Sequence, residues 1–320
     1  MQRREFIKIV GGAIVAARTF PANAQQQPRI IILHSGFPKR TPIHLLLEAL
    51  GKLGYAEADI DILGGEGDPV RLKNLVDQIG ARRPAVIIAI TSPAAIALKD
   101  AKLKLPVVFA FLSDPVGIGL VENFSRPGGD FTGVTYGEAD LGGKKLEQLI
   151  DVIGELKRVA VLWSASLPGN TAALESIQAL ALARRIEIFS RKLNGVDDVG
   201  PAFDEAKLAK VQAAIFMTDN ALFGHRKLVA ELAIAHGLPT IHSFIAEVRD
   251  GGLMFYGPND RENYRRAAAL VDRILRGARP SELPVETPTK YDLVVNLKTA
   301  KALGLAIPES FLLRADEVIE

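Results

Sequence analysis

The 320-residue chain contains no cysteine. Disulfides, cysteine-ligated metals, thiol catalysis and a lipid-modified cysteine anchor are therefore excluded. The paired-thiol chemistry of two-lobed racemases goes with them. No apolar run approaches the roughly 20 residues of a membrane-spanning helix. The stretch from Ile9 to Ala17 is short, holds Gly11 and Gly12, and stops at Arg18. Nucleotide and hydrolase signatures are also missing. The turn His34-Ser35-Gly36-Phe37-Pro38-Lys39-Arg40 lacks G-x-G-x-x-G, and LGGEGD (63–68) has glycines at the wrong spacing. Neither a G-x-x-x-x-G-K-[ST] phosphate loop nor a G-x-S-x-G elbow occurs. The five histidines (34, 44, 225, 236 and 242) show no H-E-x-x-H spacing. His34 and His242 fall at strand ends and are weak catalytic candidates by position alone. These absences argue against an enzyme and call for no cofactor or metal.

What is present begins with an address. Arg3-Arg4-Glu5-Phe6-Ile7-Lys8 precedes a weak apolar stretch, and Ala22-Asn23-Ala24 supplies an A-x-A cleavage pattern. The basic segment resembles a twin-arginine export signal, with Gln2 in place of the usual Ser or Thr and Ile7 in place of Leu. Residues 1–24 are expected to be a signal peptide. Removing its four basic residues and one acidic residue leaves 35 Lys+Arg against 36 Asp+Glu, a net of −1. The basic footprint that nucleic-acid binding requires is then gone. The expected product is a soluble monomer without lipid anchor, retained in a Gram-negative periplasm.

The remaining length exceeds a usual single-core domain, so two domains are expected. Short apolar runs alternate with amphipathic helical patterns. IIILH (30–34), DIDIL (59–63), AVIIAI (85–90), VVFAF (107–111) and FTGVT (131–135) read as strands covered on both faces. Thr41-Pro42, Asp68-Pro69, Ser92-Pro93 and Asp114-Pro115 each read as an N-cap followed by Pro at the first helical position. After Tyr136 the pattern restarts with RVAVLW (158–163), IEIFS (186–190), AAIFM (213–217) and PTIH (239–242), then GLMFYG (252–257) and KYDLVV (290–295). The expected fold is α/β: two doubly wound parallel-sheet lobes joined by a three-segment hinge. Lobe one takes 25–135 plus about 258–288, and lobe two takes 136–257. The segment 289–320 is assigned to neither.

Ligands of open α/β sheets sit outside the carboxyl ends of the strands. Those ends nominate Ser35, Phe37, Thr91, Ser92, Ser113 and Asp114 from lobe one. Lobe two offers Trp163, Asn170, Asp219 and Ser243, and the crossings add Tyr136 and Tyr256. Hydroxyls, carboxylates and aromatics with little positive charge suit a small zwitterion with a flat side chain. The helix start at Ser92 favours an anion. A second reading stays open, in which Ser92 and Asp114 are helix caps, Trp163 is core, and Tyr136 and Tyr256 brace the hinge.

Two long segments carry a resemblance. SDPVGIGLVENFSRPGGDFTGVT (113–135) resembles the D-P-V-x-x-G-L-V…R-P-G-G-N-x-T-G segment of the ABC-transporter substrate-binding proteins of the tryptophan/tyrosine-binding type, with Asp130 in place of Asn. Residues 251–320 resemble the C-terminal half of that family almost throughout. The resemblance implies a type I periplasmic-binding fold with three interlobe crossings. It implies a protein that captures a small-molecule ligand and hands it to a membrane permease. Aromatic amino acids are ligands of some members. An exported enzyme or a sensor subunit built on the same cleft stays open beside it.

Overall fold

The computed structural model describes residues 30–164 and 169–320. The expected signal peptide, 1–24, lies outside the described residues. The first half supplies β1 (Ile30–His34), α1 (Ile43–Lys52), β2 (Ile60–Gly64), α2 (Pro69–Arg82), β3 (Val86–Ile90), α3 (Ser92–Asp100), β4 (Val107–Leu112) and β5 (Phe131–Thr135). The chain continues through α4 (Glu138–Ile153), β6 (Arg158–Trp163), α5 (Gly169–Arg184), β7 (Glu187–Lys192), α6 (Val199–Leu208) and β8 (Ala213–Phe216). There follow α7 (Asn220–Phe223), α8 (Arg226–Ala235), β9 (Thr240–His242), α9 (Ile245–Arg249), β10 (Met254–Pro258) and α10 (Asp260–Leu275). The chain finishes with β11 (Tyr291–Asn296), α11 (Leu297–Ala302), α12 (Glu309–Leu312) and β12 (Glu317–Ile319).

Five strands form one parallel sheet in the order β2-β1-β3-β4-β5. The side-chain period of two explains why β1 is apolar at every position. Ile30 and Ile32 face α1 and α10, while Ile31 and Leu33 face α2 and α3. The second sheet runs β12-β11-β10-β9-β8-β6-β7 and is parallel except where β11 runs against β10. Leu146, Leu149, Ala173 and Ile177 of α4 and α5 cover one face, and Ala202, Phe203 and Val229 of α6 and α8 the other. Gly142 and Gly143 stand inside α4, where each costs about 1 kcal/mol relative to Ala. The close approach of α5 explains the first: a Cβ on Gly142 would lie 2.3 Å from the Ala173 carbonyl oxygen.

The chain passes between the sheets three times: from β5 to α4, from β10 to α10, and from α10 back to β11. Helix α10 follows a strand of the second sheet yet packs on the first, with Tyr264, Ala267 and Val271 in the same core as Ile30 and Val108. On its return the chain is tied to β5, Thr135 N–H donating to Glu286 O at 2.9 Å and Glu286 N–H to Gly133 O at 2.9 Å.

Local chemistry departs from expectation at three of the four cap–Pro pairs. Asp68 caps α2, accepting from Val70 N–H at 2.8 Å. Thr41 instead bonds back to Pro38 O at 2.8 Å, and α1 begins after Pro42. Ser92 is the first helical residue of α3, and its cap is Thr91. Asp114 caps no helix: its Oδ1 accepts from Gly117 N–H at 2.7 Å and closes a turn in the irregular link to β5. The same Asp chemistry serves a turn as readily as a cap.

Candidate ligand cleft

A cavity of about 780 Å³ lies at the carboxyl ends of both sheets. Ser35 and Thr91 form its polar wall in the first sheet; both are buried, with Oγ and Oγ1 2.7 Å apart. The strand ends are strained to make this wall. Thr91 sits at φ 84°, ψ 153°, and Phe111 at φ 58°. Positive φ at non-glycine residues costs on the order of 1–3 kcal/mol and collects at ligand clamps. Beyond Thr91 the first turn of α3 faces the cavity through Ser92 and Pro93. The amides of Ser92 and Ala94 precede the first intrahelical acceptor, and Pro93 has none, so this turn offers N–H groups to an anion.

Aromatic rings run through the cleft from one sheet to the other. The Tyr264 and Phe111 centroids are 4.8 Å apart, Phe111 and Tyr136 5.9 Å, Tyr136 and Phe244 5.9 Å, and Phe244 and Phe223 5.0 Å. Tilted and edge-on geometries at these distances are favourable ring contacts. Tyr136 stands at the junction, and its hydroxyl donates to the Ser243 carbonyl. At the rim, Arg40 lies 4.4 Å over the Phe37 ring and donates to Gly224 O at 3.4 Å, which bridges the two sides.

Charge in the cleft is sparse. Asp219 is buried, and its Oδ1 accepts from Leu222 N–H at 3.0 Å. Asp260 faces the cavity from α10, and burial, together with the charge of Asp292, pushes its carboxyl up to about 7. Burial pushes His34 down to about 4, so its imidazole is neutral, with Nδ1 accepting from Gly36 N–H at 2.8 Å. Beneath the second-sheet wall, Lys145 Nζ donates to Ser243 Oγ at 2.7 Å. His242 and Glu247 lie in the same buried layer, 3.8 Å apart. Burial lowers His242 to about 3 and raises Glu247 to about 7, so this approach is not an ion pair at neutral pH. Among the described residues no cluster of His, Asp or Glu is arranged to hold a metal ion.

Of the twelve residues nominated from sequence, Ser35, Phe37, Thr91, Ser92, Ser113, Tyr136 and Asp219 line the cavity. Five stand elsewhere. Asp114 closes its turn. Trp163 packs beside the core of the second sheet and donates from Nε1 to Ser190 Oγ at 3.0 Å. Asn170 spans Ser164 O and Thr218 O at 3.0 and 3.1 Å, bracing the loops behind Asp219. Ser243 holds Lys145. Tyr256 stacks on Tyr291 at 6.0 Å, within the β10–β11 pair at the crossing. Phe111, Phe223, Asp260 and Tyr264 were not nominated and do line the cavity. The only sequence signal for the last two is their position just after the MFYGPN crossing.

The family model for ABC transporter substrate binding proteins matches residues 34–319. The chain belongs to that family. Its relatives include the tyrosine-binding protein of Clostridioides difficile, 24% identical over 263 residues that span 81% of this chain and 75% of that protein. An ABC domain from Streptococcus pneumoniae in complex with L-Trp superimposes with a TM-score of 0.84 at 26% identity, covering 91% of this chain and 99% of that one. A conserved domain protein from Vibrio cholerae shares the fold, with a TM-score of 0.83 at 23% identity over 91% and 99% of the two chains. The family membership agrees with the geometry: a substrate-binding protein needs a roomy, mostly apolar cleft with a few placed polar groups. No described helix is long and apolar enough to cross a membrane.

Proposed function

We propose that this protein is the solute-binding component of an ABC importer and that its ligand is an aromatic amino acid. The observation that carries the reading is the run of five rings from Tyr264 to Phe223, with the first turn of α3 on one side of the cleft and Asp219 on the other. In this reading the ligand's carboxylate takes the Ser92 and Ala94 amides, assisted by Ser113. Asp219 holds the ammonium from the opposite side, and the rings enclose the side chain. A zwitterion so placed links the two sheets and favours the closed state, because a ligand shifts a conformational equilibrium only by its differential affinity for the two states. The protein performs no chemistry of its own; it carries the solute to a membrane permease.

The two lobes of this reading are 25–135 with 258–288, and 136–257 with 289–320. They close by bending at the crossings 133–137, 256–259 and 287–291. The names of the relatives support the ligand class, and the leader sequence supports export to the periplasm. Replacing Arg3 and Arg4 by Lys is expected to leave the precursor in the cytoplasm, whereas unchanged export would remove the twin-arginine route. A thermal-shift screen over amino acids, aromatic acids, amides and sugars tests the ligand class. One-site binding adds about 2.7 kcal/mol of stability at a hundredfold excess over Kd. A shift with sugars and none with aromatic amino acids would reject the reading.

A further inference from the structure

Two arginine–phenylalanine pairs stand on the two sides of the cleft mouth. On the first-sheet side, between β1 and α1, the Arg40 guanidinium lies 4.4 Å over the Phe37 ring. On the second-sheet side Arg226 opens α8 and lies 4.8 Å over the Phe223 ring. The pairs differ in footing. Arg40 and Phe37 are both exposed. Arg226 is half-buried, donates from Nη1 to Phe223 O at 3.2 Å and lies 2.6 Å from Asp250 Oδ2. Those contacts anchor the turn between α7 and α8. The next carbonyl of that turn, Gly224 O, accepts from Arg40 Nη1 at 3.4 Å. Phe37, Arg40, Phe223 and Gly224 all line the cavity, so the bond lies across its opening. A long bond between exposed partners contributes little to holding a fold, but it can form and break as a cleft closes and opens. The ring beneath Arg40 restrains the side chain, and the fixed fork of the guanidinium leaves an N–H free for the acceptor.

We propose that Arg40 is a latch on the cleft mouth, that the turn anchored by Arg226 is its catch, and that together they set how long a captured solute stays. The contact joins residues from opposite sides of the cleft, so it exists only while the two sides are together. A bond made in one of two states shifts the equilibrium toward that state. Its loss speeds opening and release, and leaves entry into the open cleft unchanged. The acceptor is a backbone carbonyl, so the latch needs a cationic donor at position 40 and no particular side chain opposite. Arg226 acts through the turn: it holds Phe223 O, and thereby Gly224 O, where the Arg40 fork can meet it. The latch serves whatever solute lies beneath it, and stands apart from the aromatic amino-acid reading.

The test is stopped-flow binding of L-tryptophan and L-tyrosine to the wild type, Arg40→Met, Arg40→Lys, Arg226→Met and the double variant Arg40→Met/Arg226→Met. Methionine keeps an unbranched stem on the Phe37 ring and removes the donors. The dissociation rate of Arg40→Met should rise about three- to tenfold while the association rate holds within about twofold. Arg40→Lys should recover most of the slow release. Arg226→Met should also release faster, and the double variant no faster than the faster single one, because both substitutions break the same contact. An unchanged dissociation rate in Arg40→Met overturns the latch and leaves the ligand reading standing. A slower association with unchanged dissociation overturns it too, since that would make Arg40 a steering charge. Additive effects overturn the part given to Arg226. If neither amino acid binds, the ligand reading falls and the latch is decided on the empty protein. The chain has no cysteine, so Glu57→Cys and Lys207→Cys, both at exposed positions and one on each side of the cleft, take a fluorophore pair whose transfer efficiency reports the closed fraction. A closed-to-open ratio about three- to tenfold lower with Arg40→Met supports the latch. An equal ratio overturns it.

Discussion

Tyr136 donates its hydroxyl to the backbone carbonyl of Ser243, and so joins the first crossing segment to the loop that follows β9 in the second sheet. Its ring is 2% exposed and stands between Phe111 and Phe244. Tyr136→Phe keeps the ring and strands a buried acceptor, which costs about 1–3 kcal/mol. Tyr136→Ala also opens the ring series and should cost about 3–5 kcal/mol, as for other large aromatic truncations. Urea denaturation of both variants reads the difference. Equal, near-zero losses would mean that Tyr136 does not brace the junction.

Thr91 offers a test of the strain at the cleft wall. Its backbone occupies a region that glycine enters freely and other residues do not. Thr91→Ala and Thr91→Gly both lose the Ser35 hydroxyl contact, but only the glycine relieves the backbone. The glycine variant is therefore expected to be more stable than the alanine variant by about 1 kcal/mol, against the usual order. Denaturant melts that place alanine above glycine would contradict the strain.

The strands were legible because a run buried on both faces must be apolar at every position, as Ile30 to Leu33 and Val159 to Leu162 are. The polar wall was legible for a related reason: strand ends point at the cleft, so Ser35, Thr91, Ser92 and Ser113 could be read off in order. Asp260 and Tyr264 could not. They belong to a helix that follows a strand of one sheet and packs on the other, and that placement is set by a crossing rather than by local pattern. Asp114-Pro115 misled because a turn closed by Gly117 uses the same residues as a capped helix. Trp163 ends β6 and Tyr256 lies in the middle of β10, and their rings pack within the second sheet and its crossing.

The buried layer under the second-sheet wall should shape the stability profile with pH. Glu247 has a folded pKa of about 7, above the ordinary 4.5, so its contribution is fully present below 4.5 and is lost as pH rises through 7. His242 is depressed to about 3 from 6.5, so the protein loses stability as pH falls from 6.5 toward 3. The two trends oppose one another between 4.5 and 6.5 and flatten the wild-type profile there. Glu247→Gln retains an acceptor for the Phe244 N–H, which Glu247 Oε2 meets at 2.8 Å, and removes one limb. Relative to wild type, the variant should gain stability from pH 4.5 to 7 and then level off. Parallel profiles across that range would show that Glu247 titrates normally.

Asp219 carries the electrostatic half of the ligand reading. Asp219→Asn keeps an oxygen for the Leu222 N–H and removes the charge. The empty protein should melt within a degree or so of wild type, while an amino-acid ligand binds about ten- to a hundredfold more weakly. A large fall in melting temperature without ligand would instead make Asp219 structural.

The most direct measurement is a calorimetric titration of the protein with L-tryptophan and L-tyrosine, repeated with the decarboxylated amines tryptamine and tyramine. One saturable site for the amino acids, and affinity at least about tenfold weaker for the amines, is expected if the α3 N-terminus holds the carboxylate. Amines that bind as tightly as the amino acids, or an absence of saturable binding by either amino acid, would contradict the account.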